Sequence, residues 1–118
     1  MGAPVAFFEV SSPDAERAQR FYAELFGWSV AADPEMGGYG LVDTAAGEAA
    51  VGGGIGPVEE GDTAGVRIYV RVDDLEGALQ RAEQLGGTRL VPPTDLPAGY
   101  GRFALFADPD GNTVGLWD

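Results

Sequence analysis

A strand-and-helix pattern that occurs twice constrains this fold more than any other feature. The β-rich run Val5–Val10 precedes an amphipathic stretch that starts near Ala15, and the alternating run Val66–Val72 precedes a second stretch that starts near Leu75. One constant shift along the chain aligns Phe8 with Ile68, Val10 with Val70, Ala18 with Ala78, Leu25 with Leu85 and Gly27 with Gly87. Two unrelated strand-helix units could share such spacing, but the shared order of strand, helix and terminal glycine favours a duplicated module.

Helix signals accompany both copies of the pattern. In the first copy, the segment from Ser11 to Asp14 provides capping residues and a proline, and Gly27 is a typical stop. In the second, Asp73 with Glu76 resembles a capping box, and Gly86-Gly87 ends the helix. Each helix is predicted to pack on a sheet by an apolar stripe; the stripes are Ala18, Phe21, Tyr22, Leu25, Phe26 and Leu75, Ala78, Leu79, Ala82, Leu85.

Three short strand candidates follow each helix. They are residues 28–32, 39–43 and 48–55 in the first half, and 88–91, 102–107 and 113–117 in the second. The run Gly52-Gly53-Gly54 predicts a strand end or a close approach of backbone. This pattern predicts one α+β domain, with modules at about 4–55 and 66–118 and a linker at about 56–65.

Two further segments lie between the strand candidates of the second half. Pro92 to Gly101 is predicted to be irregular, either a pocket flap or an inert surface loop. The sequence Asp108 to Asn112, DPDGN, is typical of a tight turn between two strands.

The composition excludes several classes of function. The chain has 118 residues with no cysteine and no histidine, so thiolate chemistry, histidine bases and the commonest transition-metal ligands are absent. Its seven basic residues oppose 19 acidic ones, and the net charge of −12 disfavours nucleic acid and anionic membranes. That charge provides solubility or attracts a cationic ligand. Without a targeting or membrane-spanning segment in the sequence, we expect a cytoplasmic protein.

The residues that fill this pattern resemble the vicinal oxygen chelate superfamily, which includes glyoxalase I, extradiol dioxygenases and bleomycin-resistance proteins. The resemblance rests on FFEV and RFYAELFGW in the first half, and on VRVDDLEGALQRAEQLGG and FADPDGNTVGLW in the second. It implies two tandem βαβββ modules that form curved mixed sheets around a concave cleft. It also implies a homodimer.

The metal-ligand positions implied by this resemblance hold no ligating side chain. Phe7 and Arg67 stand on the first strands, where members that use a metal often have histidine, and Gly115 stands in place of the glutamate on the last strand. The corresponding stretch of the first module, Gly52 to Gly54, offers no carboxylate either. We therefore expect no metal and no other cofactor.

Alternation along the strands separates a core face from an open face. If Phe8, Val10, Ile68, Val70 and Val72 pack under the helices, the opposite face carries polar and aromatic side chains. The predicted ligand-binding residues are Phe7, Glu9, Tyr39, Arg67, Tyr69, Arg71, Tyr100, Phe106 and Trp117. The aromatic residues could instead fill a half-barrel or a dimer contact, and Glu9 could simply pair with Arg67 or Arg71.

Three functions are compatible with these residues. The favoured one is a homodimer that binds an aromatic or cationic natural product, such as an antibiotic, without a metal and without chemistry. The second is a metal-independent isomerase or cyclase of secondary metabolism, in which Glu9, Tyr69 or Tyr100 moves a proton. A metal-dependent glyoxalase or dioxygenase is the least supported, because the ligand positions are empty.

Overall fold

The computed structural model describes residues 2–48 and 50–118. They form two compact units. One comprises residues 7–66, and the other comprises residues 67–118 together with the N-terminal residues up to Ala6.

The first unit is a βαβββ module. Strand β1 (Val5–Ser12) leads into helix α1 (Ala15–Phe26), and strands β2 (Ser29–Asp33), β3 (Tyr39–Asp43) and β4 (Gly52–Pro57) follow. The sheet order is β2-β3-β4-β1, in which β1 and β4 run parallel and the other neighbours are antiparallel. A single 3₁₀ turn, Pro34–Met36, joins β2 to β3.

The second unit repeats this arrangement. It contains β5 (Gly65–Arg71), α2 (Leu75–Gln84), β6 (Thr88–Asp95), β7 (Arg102–Ala107) and β8 (Thr113–Trp117). The order β5-β8-β7-β6 again places the first and last strands of the module side by side and parallel. The shared strand order confirms the predicted α+β class with two βαβββ modules of mixed sheet.

Both helices begin at an aspartate whose side chain satisfies a free backbone N–H. The Asp14 carboxylate accepts from the Arg17 N–H at 3.1 Å, and the Asp74 carboxylate accepts from the Gly77 N–H at 3.0 Å. The N-caps are therefore Asp14 and Asp74, which lie after the serines and after Asp73 that the sequence suggested. Gly27 ends α1 in the left-handed conformation with φ of 71°, as predicted.

The core of the second unit forms where α2 covers the sheet. Leu75 and Leu79 are fully buried with Ala104 and Leu116, and the partly buried Val70, Val72, Ala78 and Phe106 pack against them. The helix stripe predicted for α2 is thus confirmed at its centre. Ile68 was predicted in this core but is exposed, because it lies toward the start of β5, and the residues of β5 that pack against the cluster begin at Val70.

The packing of α1 differs from the prediction. Phe21, Leu25 and Phe26 are 57%, 58% and 55% exposed. The least exposed positions of α1 are Ala15, Ala18, Gln19, Tyr22 and Ala23. The packed face is rotated relative to the predicted one because Gln19, a polar residue, belongs to it: its Nε2 donates to the carbonyls of Gly38 at 3.1 Å and Ile55 at 2.8 Å.

Strands β4 and β6 differ most from the expected bounds. Strand β4 begins at Gly52, so the glycine run forms the N-terminal end of the strand, as the sequence predicts. Strand β6 continues through Pro92-Pro93 to Asp95 with two register shifts against β7. The first part of the predicted irregular segment, Pro92 to Asp95, is therefore strand. The longer second part, Leu96 to Gly101, is a turn that contains the 3₁₀ turn Pro97–Gly99 and is closed by a 2.8 Å hydrogen bond from the Leu96 N–H to the Gly101 carbonyl. No helix among the described residues is long and apolar enough to span a membrane.

Candidate ligand-binding site

In the first unit, Glu9 and Tyr39 form a hydrogen-bonded pair on the sheet. Glu9 of β1 is the register partner of Gly54 of β4, and the Tyr39 hydroxyl donates to Glu9 Oε2 at 2.8 Å. Both side chains are half-buried. The structure therefore brings together two of the predicted site residues that the sequence separates by 30 positions.

The ring of Tyr39 lies directly against β4. A Cβ at Gly54 would overlap the hydroxyl end of the Tyr39 side chain, and a Cβ at Gly56 would overlap the Tyr39 ring at Cδ2. The glycine stretch indeed marks a close approach, as the sequence predicts, although the approaching group is an aromatic ring and not backbone. Phe7, on the same strand as Glu9, is half-buried and is the register partner of Gly52.

In the second unit, Tyr69 covers a glycine in the same way. Tyr69 of β5 is the register partner of Gly115 of β8, and its ring fills the space that a side chain at Gly115 would occupy. Tyr69 is only 9% exposed. Arg67, two residues earlier on β5, is half-buried.

Arg71, Trp117 and Tyr100 form a second cluster in this unit. The guanidinium carbon of Arg71 lies 4.3 Å from the centre of the Trp117 ring, a cation–π contact between register partners on β5 and β8. The Trp117 indole Nε1 donates to the Tyr100 carbonyl at 2.7 Å. The turn before β7 thus fixes the indole ring, while the Arg71 side chain remains exposed.

Phe106 does not join this cluster. Its register partner is Val114, so it lies on the face of the sheet that packs against Leu75 and Leu79. Its inclusion among the binding residues was wrong, because the alternation of β7 places Phe103 and Leu105, register partners of Trp117 and Gly115, on the opposite face.

The residues at the inferred metal positions do not suit a metal ion. Phe7 has no donor atom, Arg67 is a cation, and the Tyr69 ring occupies the space beside Gly115. Among residues 2–48 and 50–118, no three carboxylates converge into a group that could hold a metal ion.

Glycine has a role in both units that its lack of a functional group hides in the sequence. Gly54, Gly56 and Gly115 have no functional group, but their missing side chains admit the tyrosine rings. The sequence did contain a sign of this role. Gly52, Gly54 and Gly56 alternate along β4, so one face of that part of the strand has no side chains.

Each unit is a βαβββ module in which the first and last strands are parallel neighbours. This architecture defines the glyoxalase-like class of fold. The model of the glyoxalase-like domain family matches residues 7–117, and the chain belongs to this family, within the vicinal oxygen chelate superfamily.

Several relatives resemble the chain at the level of sequence. It is 35% identical to the anthracycline biosynthesis protein DnrV of Streptomyces peucetius, over 98% of this chain and 46% of that protein. It is 32% identical to a glyoxylase-like domain-containing protein of Didymella fabae, over 92% of this chain and 88% of that protein. The chain thus spans about half the length of DnrV.

The fold also has solved counterparts. A glyoxalase/bleomycin resistance protein/dioxygenase superfamily member from Vibrio splendidus matches with a TM-score of 0.62 and 19% identity, covering 98% of this chain and 97% of that one. At this identity the similarity concerns the fold alone.

Proposed function

We propose that this chain binds a flat aromatic natural product with a cationic group, of the anthracycline type, without a metal. The observation that carries the proposal is the layer formed by Arg71 on Trp117, with the indole held by the Tyr100 carbonyl. A guanidinium group is planar and stacks on aromatic surfaces, so this layer offers a ligand a flat, pre-ordered contact. The net charge of −12 favours a ligand with an amino group.

The names of relatives support the same chemical class. DnrV is named for anthracycline biosynthesis and is 35% identical to this chain. Anthracyclines combine a fused aromatic ring system with an amino sugar, and these two parts match the aromatic layer and the acidic charge.

Tryptophan fluorescence tests the proposal. The chain has two tryptophans, so Trp28→Phe leaves Trp117 as the single emitter. Titration with doxorubicin is expected to quench this emission saturably. Arg71→Gln is expected to weaken binding about tenfold, since the exposed cation–π contact contributes about 0.5–1 kcal/mol and a ligand that covers and desolvates it raises this to about 2 kcal/mol. Arg81→Gln, on the exposed side of α2, is the matched control and should bind like the parent.

Absence of saturable quenching at doxorubicin concentrations up to about 1 mM would contradict the proposal, since a dissociation constant of about 1 mM corresponds to only about 4 kcal/mol of binding free energy.

A second candidate function is proton transfer without a metal. It is favoured by the Tyr39 hydroxyl that donates to the Glu9 carboxylate at 2.8 Å, because a carboxylate and a phenol in contact can relay a proton. Incubation of doxorubicin in D₂O with the protein would then introduce deuterium at a carbon, detected by mass spectrometry. Glu9→Gln is expected to lower this exchange by about 10² or more while leaving binding in place.

We also propose that the chain acts as a homodimer through the exposed face of α1. Phe21, Leu25 and Phe26 are each more than half exposed, and together they expose roughly 300 Å² of apolar surface, comparable to the functional patches of small proteins. Arg17 and Glu24 flank Phe21 on either side. In an antiparallel contact of two copies, Arg17 of one helix faces Glu24 of the other, so the charges of the two copies are complementary.

The oligomeric state tests this contact. Leu25→Ser is expected to convert the dimer to a monomer in light scattering after size exclusion. Leu85→Ser is the matched control, because Leu85 is a leucine of similar exposure, 63% against 58%, beyond the end of α2. A monomeric parent protein, or a dimer that survives Leu25→Ser and Phe21→Ser together, would contradict the proposed interface.

A further inference from the structure

Two of the four tyrosines, Tyr39 and Tyr69, pack directly against the backbone of a glycine, and this contact is called the seating of the ring. At Gly54, the ideal position of a Cβ overlaps the hydroxyl end of the Tyr39 side chain, closer than any real Cβ contact, and the same ring also crowds Gly56. Gly52, on the same strand and the same face, has only an ordinary 3.5 Å contact with the Val42 carbonyl. The crowding therefore results from the tyrosine ring and not from the strand.

The same arrangement occurs at the equivalent position of the second module. Glu9 pairs in register with Gly54, and Tyr69 pairs in register with Gly115. Because the constant shift that aligns the modules places Glu9 on Tyr69, Gly54 and Gly115 are equivalent. Each receives a tyrosine ring, but the rings come from different strands: Tyr39 from β3 and Tyr69 from β5.

We propose that Gly54 and Gly115 are positioning residues that set ligand specificity. This inference rests on the proposed function. By lacking a side chain, each glycine lets a tyrosine ring lie against the sheet. The half-buried Tyr39 ring thereby presents aromatic surface where a side chain would otherwise project, while the Tyr69 ring, only 9% exposed, packs on Gly115. Any side chain at these positions displaces the ring, and in the first module it also removes the Tyr39 hydroxyl from Glu9. A bound ring system is thereby recognised by flat contact and by one oriented hydroxyl.

Gly54→Ala and Gly52→Ala form a matched pair for the test. Both add one methyl group to the same face of β4, but only the first meets the Tyr39 ring. Gly54→Ala is expected to weaken doxorubicin binding about tenfold, and Gly52→Ala is expected to leave it unchanged. With tyrosine labelled with ¹³C at the ring, the resonance of Tyr39 should shift in Gly54→Ala and stay in Gly52→Ala. Four tyrosines give a spectrum simple enough to assign.

A rescue variant separates binding from stability. Gly54→Ala with Tyr39→Ala removes the clash, so its melting temperature should equal that of Tyr39→Ala alone, while doxorubicin affinity should stay low in both. If Gly54→Ala does not fold, this double variant still answers the question: normal affinity in it would overturn the proposal. Equal affinity of folded Gly54→Ala and Gly52→Ala would also overturn it.

Failure of the inference differs from failure of the proposed function. If the parent protein does not bind doxorubicin, the proposed function fails, whereas the seating of the rings is still measured by NMR without a ligand. An unmoved Tyr39 resonance in Gly54→Ala, or an unmoved Tyr69 resonance in Gly115→Ala, would refute the seating itself.

Discussion

Gln19 is the residue that orients α1, although its polarity hides this role in the sequence. Its amide donates to two backbone carbonyls, those of Gly38 and Ile55, and so connects the helix to the strands beneath it. The apolar stripe through Phe21 and Leu25 suggested a helix face rotated away from the one that packs, although Ala18 and Tyr22 belong to both faces. A hydrophobic pattern fails here because a single amide satisfies two carbonyls that no apolar side chain could satisfy.

Replacement of Gln19 by leucine should therefore destabilise the protein despite the added apolar surface. Two carbonyls lose their donor, and the expected loss of unfolding free energy is about 1–3 kcal/mol. Urea denaturation of Gln19→Leu measures it. Gln80→Leu, on the exposed side of α2, is the control and should change stability little. If both substitutions behave alike, Gln19 does not hold the helix to the sheet.

At the scale of elements, the turn from Asp108 to Asn112 is the clearest case of local sequence deciding local structure. The Asp108 carboxylate accepts hydrogen bonds from the Asn112 side chain and backbone and from the Asp110 N–H. These bonds favour the charged form, so the pKa of Asp108 lies below its usual value, with the Asn112 side chain as the largest cause. The connection between β7 and β8 depends on that charge.

A pH dependence of stability follows from this lowered pKa. The contribution of Asp108 is fully present above the usual pKa of an aspartate and is lost as the pH falls through the lower folded value. In urea denaturation, Asp108→Asn should therefore be less stable than the parent protein near neutral pH, and the difference should shrink as the pH falls below about 4. A pH-independent difference for Asp108→Asn would contradict the assigned charge effect.

Most elements were predictable because their signals are local. Strands β3, β7 and β8 have the expected bounds, and Gly27 ends α1 as predicted. The errors arose where distant contacts decide. Strand β6 passes through two prolines because register shifts against β7 accommodate them, and Phe106 faces the core because of its pairing with Val114. The pairing of Glu9 with Tyr39 depends on strand register, which a single sequence does not determine.

At the scale of the whole molecule, the net charge of the chain is the property that should make it bind a cationic ligand more tightly than a neutral one. The chain carries a net charge of −12, and its field is screened over about 8 Å at physiological ionic strength. Within the proposed function, this field should strengthen binding of an anthracycline with a protonated amino sugar. The aromatic layer of Arg71 and Trp117, in contrast, acts by contact and is nearly independent of salt.

Salt titration of two ligands that share one ring system separates these contributions. The affinity for doxorubicin should fall severalfold between about 20 mM and 500 mM NaCl, because the Debye length decreases from about 20 Å to about 4 Å. The neutral aglycone, which keeps the rings and lacks the amino sugar, should bind more weakly at low salt and change little across the range. Equal salt dependence of the two ligands would show that the charge of the chain does not contribute to recognition. Binding would then depend on stacking alone, and the acidic surface would serve only to keep copies of the chain in solution.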